Sequence, residues 1–187
     1  MRLKSILILV GILAIAATIY ITTRPVEEPP PIKERMQYVW LFEMEELQHI
    51  QVDLPHLAGT EKFLKHEDRQ WYFDDPPGPK VDPERWGGGI PLLLSGPGAE
   101  RPIAKGATDE QLAVFGFTQP LMLLTLTKED GEIVRIEVGD EVPDGHAHYV
   151  RVSDSNNVYI VDATWYNVLE RLVLEPPYPP IEEEEED

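Results

Sequence analysis

Leu121-Met-Leu-Leu-Thr-Leu-Thr127, Lys128-Glu-Asp-Gly131 and Ile133-Val-Arg-Ile-Glu-Val138 decide the fold. Two alternating apolar runs flank an Asp-Gly pair, a strong β-hairpin signal because Asp-Gly suits the tight turns that match strand twist. The stretch therefore reads as two antiparallel strands.

Working outward, Tyr149–Val152, the turn Ser153–Asn157 and Val158–Val161 give a second hairpin. Thr164 then caps a helix to about Leu174, with Tyr166, Leu169, Leu172 and Val173 at helical spacing. Upstream, Thr108 caps a helix carrying Glu110 and Gln111 in its first turn and closed by Gly116. In the amino-terminal half, Tyr38–Phe42, His49–Leu54, Thr60–His66 and Gln70–Asp74 are short runs rich in aromatic and β-branched residues, hence strands. The polar turn Glu67-Asp68-Arg69 puts Phe63 and Trp71 on neighbouring strands. Asp82 followed by Pro83 announces a helix. Gly87, Gly88, Gly89 and Pro91 then oppose it by about 5 to 6 kcal/mol relative to alanine, so a broken or very short helix is expected.

The fold class that follows is α+β, with antiparallel β meanders and short helices. Both halves read as four strands then a helix, and Phe63–Asp74 has the polarity and turn position of Tyr149–Asp162. A quasi-duplicated ββββα unit is one reading. The other is coincidence, since any two hairpins share this pattern.

Ahead of the domain lies an apolar run from Ile6 to Ile21, interrupted only by Thr18. Leu3 to Thr22, 20 residues at ~1.5 Å each, spans the ~30 Å core of a bilayer, so Ile6, Leu7, Leu9, Ile12, Leu13, Ile15, Ile19 and Ile21 are expected to form a membrane anchor. Arg2 and Lys4 place the amino terminus in the cytoplasm and the domain on the extracytoplasmic side of the cell membrane. Ala14-Ile15-Ala16 offers the alternative of a cleaved signal peptide, against which the run is longer than a usual signal core. The expected organisation is an anchor at 1–23, a Pro-rich spacer at 24–37, β-rich halves at 38–95 and 107–174 around a Gly/Pro connector at 96–106, and a Pro-rich, acidic and flexible tail at 175–187.

The chain has no cysteine, which excludes disulfides, thiolate nucleophiles and sulfur-ligated metals. Its net charge is -18, from 34 acids against 16 bases, and removing the six acids of Glu182–Asp187 leaves -12. That balance argues against phosphate neutralisation, so no nucleic-acid partner is expected. The acidity reads as solubility, as repulsion from anionic lipid head groups, or as complementarity to a basic protein surface that the tail would meet.

The carboxy-terminal half resembles a bacterial domain-of-unknown-function family of membrane-anchored extracytoplasmic repeats, often encoded beside gliding-motility-type ABC transporters. The resemblance rests on Ala107–Pro120, the hairpin around Asp130-Gly131, Ile136–Asp140, His148–Arg151 and Val158–Val161. Trp71, Gly116, Pro120, Gly131, Gly139, Tyr149 and Tyr159 are its structural positions. The chain departs from the pattern at Phe117, where members carry Leu, and at Gly87–Gly89, where they carry a regular helix. The resemblance implies an accessory role and transfers no catalytic residue.

Candidate chemistry is sparse. Asp144, His146 and His148 have metal-ligand character, yet without a second His or Cys pair they read as a solvated loop entering a strand. Asp74 and Asp75, followed by prolines, read as a turn. No cofactor is implied. Trp86, with Gly87, Gly88, Gly89, Pro91 and Leu92, forms an irregular apolar segment that reads either as an exposed partner-docking surface or as core beneath a loop. The expectation is a non-enzymatic single-pass accessory or scaffold subunit docking on an integral membrane complex, an ABC-type transporter or a respiratory or photosynthetic assembly. The alternative is a module presenting a small molecule or polysaccharide to a transporter, which needs a concave pocket near Trp86.

Overall fold

The computed structural model describes residues 10–13, 20, 37–75, 78–99 and 101–180. The chain divides into two units, Met1–Arg35 and Met36–Asp187. In the first, residues 10–13 and 20 are helical and exposed. Among the described residues no helix is long and apolar enough to cross a membrane. Ile12 and Leu13 of the expected anchor are thus helical, while Ile6, Leu7, Leu9, Ile15, Ile19, Ile21 and the spacer up to residue 36 lie outside the described residues.

The second unit is α+β. Its strands are β1 (Gln37–Tyr38), β2 (Leu47–Leu54), β3 (Gly59–Lys65), β4 (Trp71–Phe73), β5 (Gly98–Ala99), β6 (Arg101–Ala104), β7 (Met122–Lys128), β8 (Ile133–Glu141), β9 (Ala147–Val152) and β10 (Val158–Asp162). Its α-helices are α1 (Pro83–Trp86), α2 (Ile90–Ser95), α3 (Asp109–Val114) and α4 (Ala163–Leu174). Eight strands form one antiparallel sheet in the order β4-β3-β2-β7-β8-β9-β10-β6, and β1 pairs with β5 separately.

The hairpin at residues 121–138 folds as its pattern dictates, with Leu124 opposite Ile136 and Leu126 opposite Val134. Strand alternation then sends Met122, Leu124 and Leu126 to one face, where all three are buried. On the neighbouring β2, Ile50 and Val52 stand opposite Leu126 and Leu124 and are equally buried. This β2–β7 seam joins the two halves into one sheet.

The buried face is covered by α4 through Trp165, Tyr166, Leu169 and Leu172, by Trp86 of α1, and by Ile90 and Leu94 of α2. The opposite face carries two small apolar clusters, one under α3 (Ala107, Leu112, Phe117, Val158) and one of Val142, Ala147 and Ile160. Beside the first, Glu137 and Arg151 face each other across β8 and β9, 2.7 Å apart, with Arg151 lying over the Phe117 ring. Helix starts follow local chemistry. Thr108 and Gln111 form a reciprocal capping box on α3, and Asp82 accepts the Glu84 N–H.

Several expectations need correction. The run Tyr38–Phe42 is not a strand of the sheet: β1 ends at Tyr38, and Val39 and Trp40 turn inward, where the Trp40 indole donates to Leu94 O at 2.8 Å. It also starts at Gln37, a residue assigned above to the spacer. The connector 96–106 contains β5 and β6, the latter closing the sheet against β10. The cap of α4 is Asp162, which accepts the Thr164 N–H at 2.7 Å, rather than Thr164 itself. The first half thus supplies three strands to the sheet where four were expected. The β3–β4 hairpin also sits next to the seam strand β2, whereas β9–β10 lies two strands from β7.

The tail was expected to be flexible from 175, but Glu175–Pro180 packs on the domain. Pro177 O accepts the Asp82 N–H at 2.9 Å, and Tyr178 stacks on Phe73 with centroids 4.1 Å apart. Residues 181–187 lie outside the described residues.

Two of the family-pattern glycines have a steric origin. The Asp140 N–H donates to Phe115 O at 2.9 Å, so the end of α3 crosses the irregularity in β8 at backbone distance. A Cβ on Gly139 would lie 2.1 Å from Phe115 O, and one on Gly116, at φ +85°, would lie 2.5 Å from Asp140. Gly131 also has φ +85° but meets nothing within 4 Å. Gly139→Ala should therefore cost about 3 kcal/mol, because backbone must move. Gly131→Ala should cost only the left-handed penalty of about 1 kcal/mol. Thermal unfolding checks the order: Tm should fall by roughly 6 to 12 °C for the first and by a few degrees for the second.

Candidate functional site

The β3–β4 hairpin end of the sheet carries a recess of about 440 Å³. Trp71 and Trp86 form part of its lining, together with Val81, Pro83, Pro91 and Met44. Both rings belong to a continuous aromatic row: Trp71 to Trp86 at 5.6 Å, Trp86 to Phe63 at 4.8 Å, Phe63 to Phe73 at 5.2 Å, and Phe73 to Tyr178 at 4.1 Å. Alternation explains the placement, since Trp71 and Phe73 share the core face of β4 while Tyr72 points away. The edge is then bordered by Pro79–Val81, with Val81 N–H donating to Trp71 O and Phe73 N–H to Pro79 O.

The rim is basic in an otherwise acidic protein. Lys65, Arg69 and Lys80 line it, with Glu45 and Glu129 opposite. Lys65 is already engaged, its Nζ 2.8 Å from Glu129 Oε1 and 2.5 Å from Glu45 O. That contact holds the Glu129 carboxyl below its usual range, with Arg69 contributing at longer range. Arg69 stands at φ +61° in the β3–β4 turn and Lys80 follows the β4 border. Among the described residues no carboxylate lies within ion-pair distance of either. The recess thus combines an aromatic floor with two cations that act on carboxylates only at longer range, Lys80 on Asp68 and Arg69 on Glu129. Its size falls in the ~300–1,000 Å³ range of small-ligand sites, which pair apolar walls with a few placed polar groups.

The six residues expected to form a docking surface divide among three depressions. Trp86, Gly88 and Pro91 line the recess. Gly87 and Gly89 face a second depression beside Arg171 and Glu175, and exposed Leu92 joins Tyr38 and Leu41 in a third. Trp86 is only 5% exposed, so the exposed-surface reading of this residue is corrected: it is core, as its alternative reading had it. Gly87 and Gly88 explain why. Both take left-handed φ angles, +65° and +58°, which stop α1 after one turn and let α2 restart with Ile90 and Leu94 inward. Sequence reasoning missed Lys65, Arg69 and Lys80, because they stand on separate segments and meet only through the β4 edge.

The other candidates do not converge. Asp74 pairs with His49 at 2.9 Å across the sheet. His146 Nδ1 contacts Asp144 Oδ1 in an exposed turn, whereas His148 sits 6% exposed in β9, stacked on Tyr166 at 4.2 Å. Among the described residues no three His, Cys, Asp or Glu side chains are placed to hold a metal ion.

The architecture defines a class: an α+β domain built on one eight-stranded antiparallel sheet, with an aromatic recess at one end whose rim carries Lys65, Arg69 and Lys80 beside Glu45 and Glu129. Residues 99–172 match the model of a family described as Domain of unknown function (DUF4340). That is consistent with the resemblance to an uncharacterised family drawn above. No curated protein and no solved structure matches the chain. The matched residues run from β5 to α4, whereas every recess residue named here except Glu129 precedes them.

His148 provides a pH handle on the covering helix. Its Nδ1 is buried without a hydrogen-bond partner among the described residues, and burial lowers its pKa below the ordinary 6.5. A backbone hydrogen bond at Gly139 and the Glu141, Glu170 and Asp140 carboxylates oppose that shift without reversing it. A depressed histidine contributes stability that is present above about pH 6.5 and lost as pH falls, because the unfolded chain then binds the proton more readily. The urea midpoint should drop between pH 7 and pH 5, and His148→Phe, which keeps the stack on Tyr166, should flatten that dependence.

Proposed function

We propose that this chain is a non-enzymatic, single-pass membrane accessory protein whose extracytoplasmic domain docks on a larger membrane complex. An ABC-type transporter is the first candidate, and a respiratory or photosynthetic assembly the second. The observation that carries the proposal is the recess: an aromatic floor next to Arg69 and Lys80 is a binding feature, and aromatic and arginine anchors dominate protein docking sites. The apolar run at residues 6–21 and its basic flank support the tether and the side of the membrane. The acidic run supports a second attachment to a basic partner surface.

The size of the recess, about 440 Å³, favours a second reading, a module that presents a small molecule or polysaccharide to a transporter. A thermal-shift panel of sugars and peptides tests it, and no stabilisation by any of them counts against it.

Mild-detergent solubilisation of native membranes, followed by size separation, tests the first reading. The chain should migrate within a defined large complex, and Arg69→Glu with Lys80→Glu should shift most of it to a small species without lowering its Tm by more than a few degrees. Migration of the unaltered chain alone would contradict the docking role.

A further inference from the structure

His148 is a buried titratable group at the meeting of β8, β9 and α4, and the docking role makes no use of it. We propose that α4 carries a proton-operated latch: at neutral pH Glu170 holds the Tyr166 hydroxyl, and when His148 takes up a proton Glu170 transfers to its Nδ1–H.

The geometry starts on the strand. His148 shares the inward face of β9 with Val150, opposite Val161 of β10 and Glu141 of β8. Its ring is covered by the Tyr166 ring of α4, stacked at 4.2 Å with 24° between the planes. Tyr166 donates its hydroxyl to Glu170 Oε1 at 2.9 Å, one helical turn further on. Imidazole, phenol and carboxylate therefore form one short series from sheet to helix, and its last member is half-buried.

Protonation disturbs that series at one atom. His148 Nδ1 has no hydrogen-bond partner among the described residues, so the backbone bond at Gly139 uses the other ring nitrogen. A neutral ring protonated on Nε2 fits this arrangement, since a bare Nδ1 needs no acceptor. A second proton places an N–H on Nδ1, and a buried charged donor left without an acceptor is costly.

Three carboxylates act on the ring, Glu141 and Asp140 from β8 and Glu170 from α4. A Cβ on Gly145 would lie 3.5 Å from Glu141 Oε1, so that carboxylate leans on the β8–β9 turn. A Cβ on Gly116 would lie 2.5 Å from Asp140 Oδ1, which puts that one at the end of α3 on the opposite face. From β10, Val161 brings no charge, and Asp162 accepts the Thr164 N–H. On the approach to β9, His146 contacts Asp144 in the exposed turn. Of the three, Glu170 is the one bonded to the ring that covers His148, so its transfer is felt by α4.

Burial holds His148 below its ordinary range, so the latch works on the acid side of neutrality. Transfer releases the Tyr166 hydroxyl and re-seats the turn leading to Arg171 and Leu172, which border the second depression. None of this depends on the membrane partner proposed above.

The test is an NMR titration of the full chain in detergent, with ¹⁵N-labelled imidazoles, from about pH 7.5 to about pH 5. His148 should start as the Nε2–H form, and the α4 amides from Tyr166 to Arg171 should shift with the same midpoint as its ring. Tyr166→Phe keeps the stack but frees Glu170, and should raise that midpoint by about half a pH unit, the scale of one hydrogen bond. Glu170→Gln should lower the midpoint and abolish the effect of Tyr166→Phe, whereas Glu141→Gln should leave that effect in place. The Trp40 indole, bonded to Leu94 O at 2.8 Å, reports whether each variant keeps the fold. An equal effect of Tyr166→Phe with and without Glu170 would overturn the latch and leave Tyr166 a packing residue. So would α4 amides that ignore the titration, or a His148 that stays neutral until the chain unfolds.

Discussion

One face of a single sheet has to be covered, and the rest of the structure answers to that. Eight strands at ~4.8 Å spacing make a sheet roughly 34 Å wide, while the twelve residues of α4 form a rod about 18 Å long and ~10 Å thick. One helix cannot cover that width. The β2–β7 seam beneath it is fully buried, with Ile50, Val52, Leu124 and Leu126 each at most 1% exposed. Each such side chain contributes about 1.5 to 3 kcal/mol through burial, so exposing the seam would consume most of the stability of an ordinary domain. The remaining cover comes from short pieces: α1, α2, the inward turn at Trp40, and the Pro-rich segment ending in Tyr178. The recess opens among those pieces, between Trp86, Pro91 and the β4 edge.

Much of this was legible in the sequence because it is local. Alternation around Asp130-Gly131 yields a hairpin whatever surrounds it, and Thr108 with Gln111 caps α3 through contacts three residues apart. Gly87–Gly89 mark a broken helix for reasons of backbone freedom alone. Non-local effects were not legible. Trp40 resembles a strand residue until Leu94 O and the Trp165 ring, 6.0 Å away, draw it inward. Arg101–Ala104 carries a proline and no alternation, so only the free edge of β10 reveals it as a strand. At the site, Trp71 and Trp86 drew attention as aromatics. The basic rim did not, since nothing in the chain marks Lys65, Arg69 and Lys80 as neighbours until β4 pairs with β3 and with the segment following Gly78.

The division between family pattern and recess has a physical reading. Residues 99–172 supply β6 to β10, α3 and α4, including Gly116 and Gly139, where backbone meets backbone and no side chain fits. That part is a frame, and its constraints are steric. The recess, built almost wholly from residues 44–91, is an elaboration on the free side of the seam. Its exposed rim residues, such as Arg69 and Lys80, are not part of that frame, whereas Trp86 and Phe63 are packed in the core.

Native-state hydrogen exchange on the full chain tests the claim that seam, cover and recess form one cooperative body. Amides of the seam, such as Leu124 and Leu126, and amides of the recess wall, such as Val81 bonded to Trp71 O, should exchange through the same global opening, with the same free energy and denaturant dependence. A separate, lower-energy opening of β3, β4 and Val81 while β7 and β8 stay protected would contradict that account. The recess would then be an independent flap laid on a family-type core.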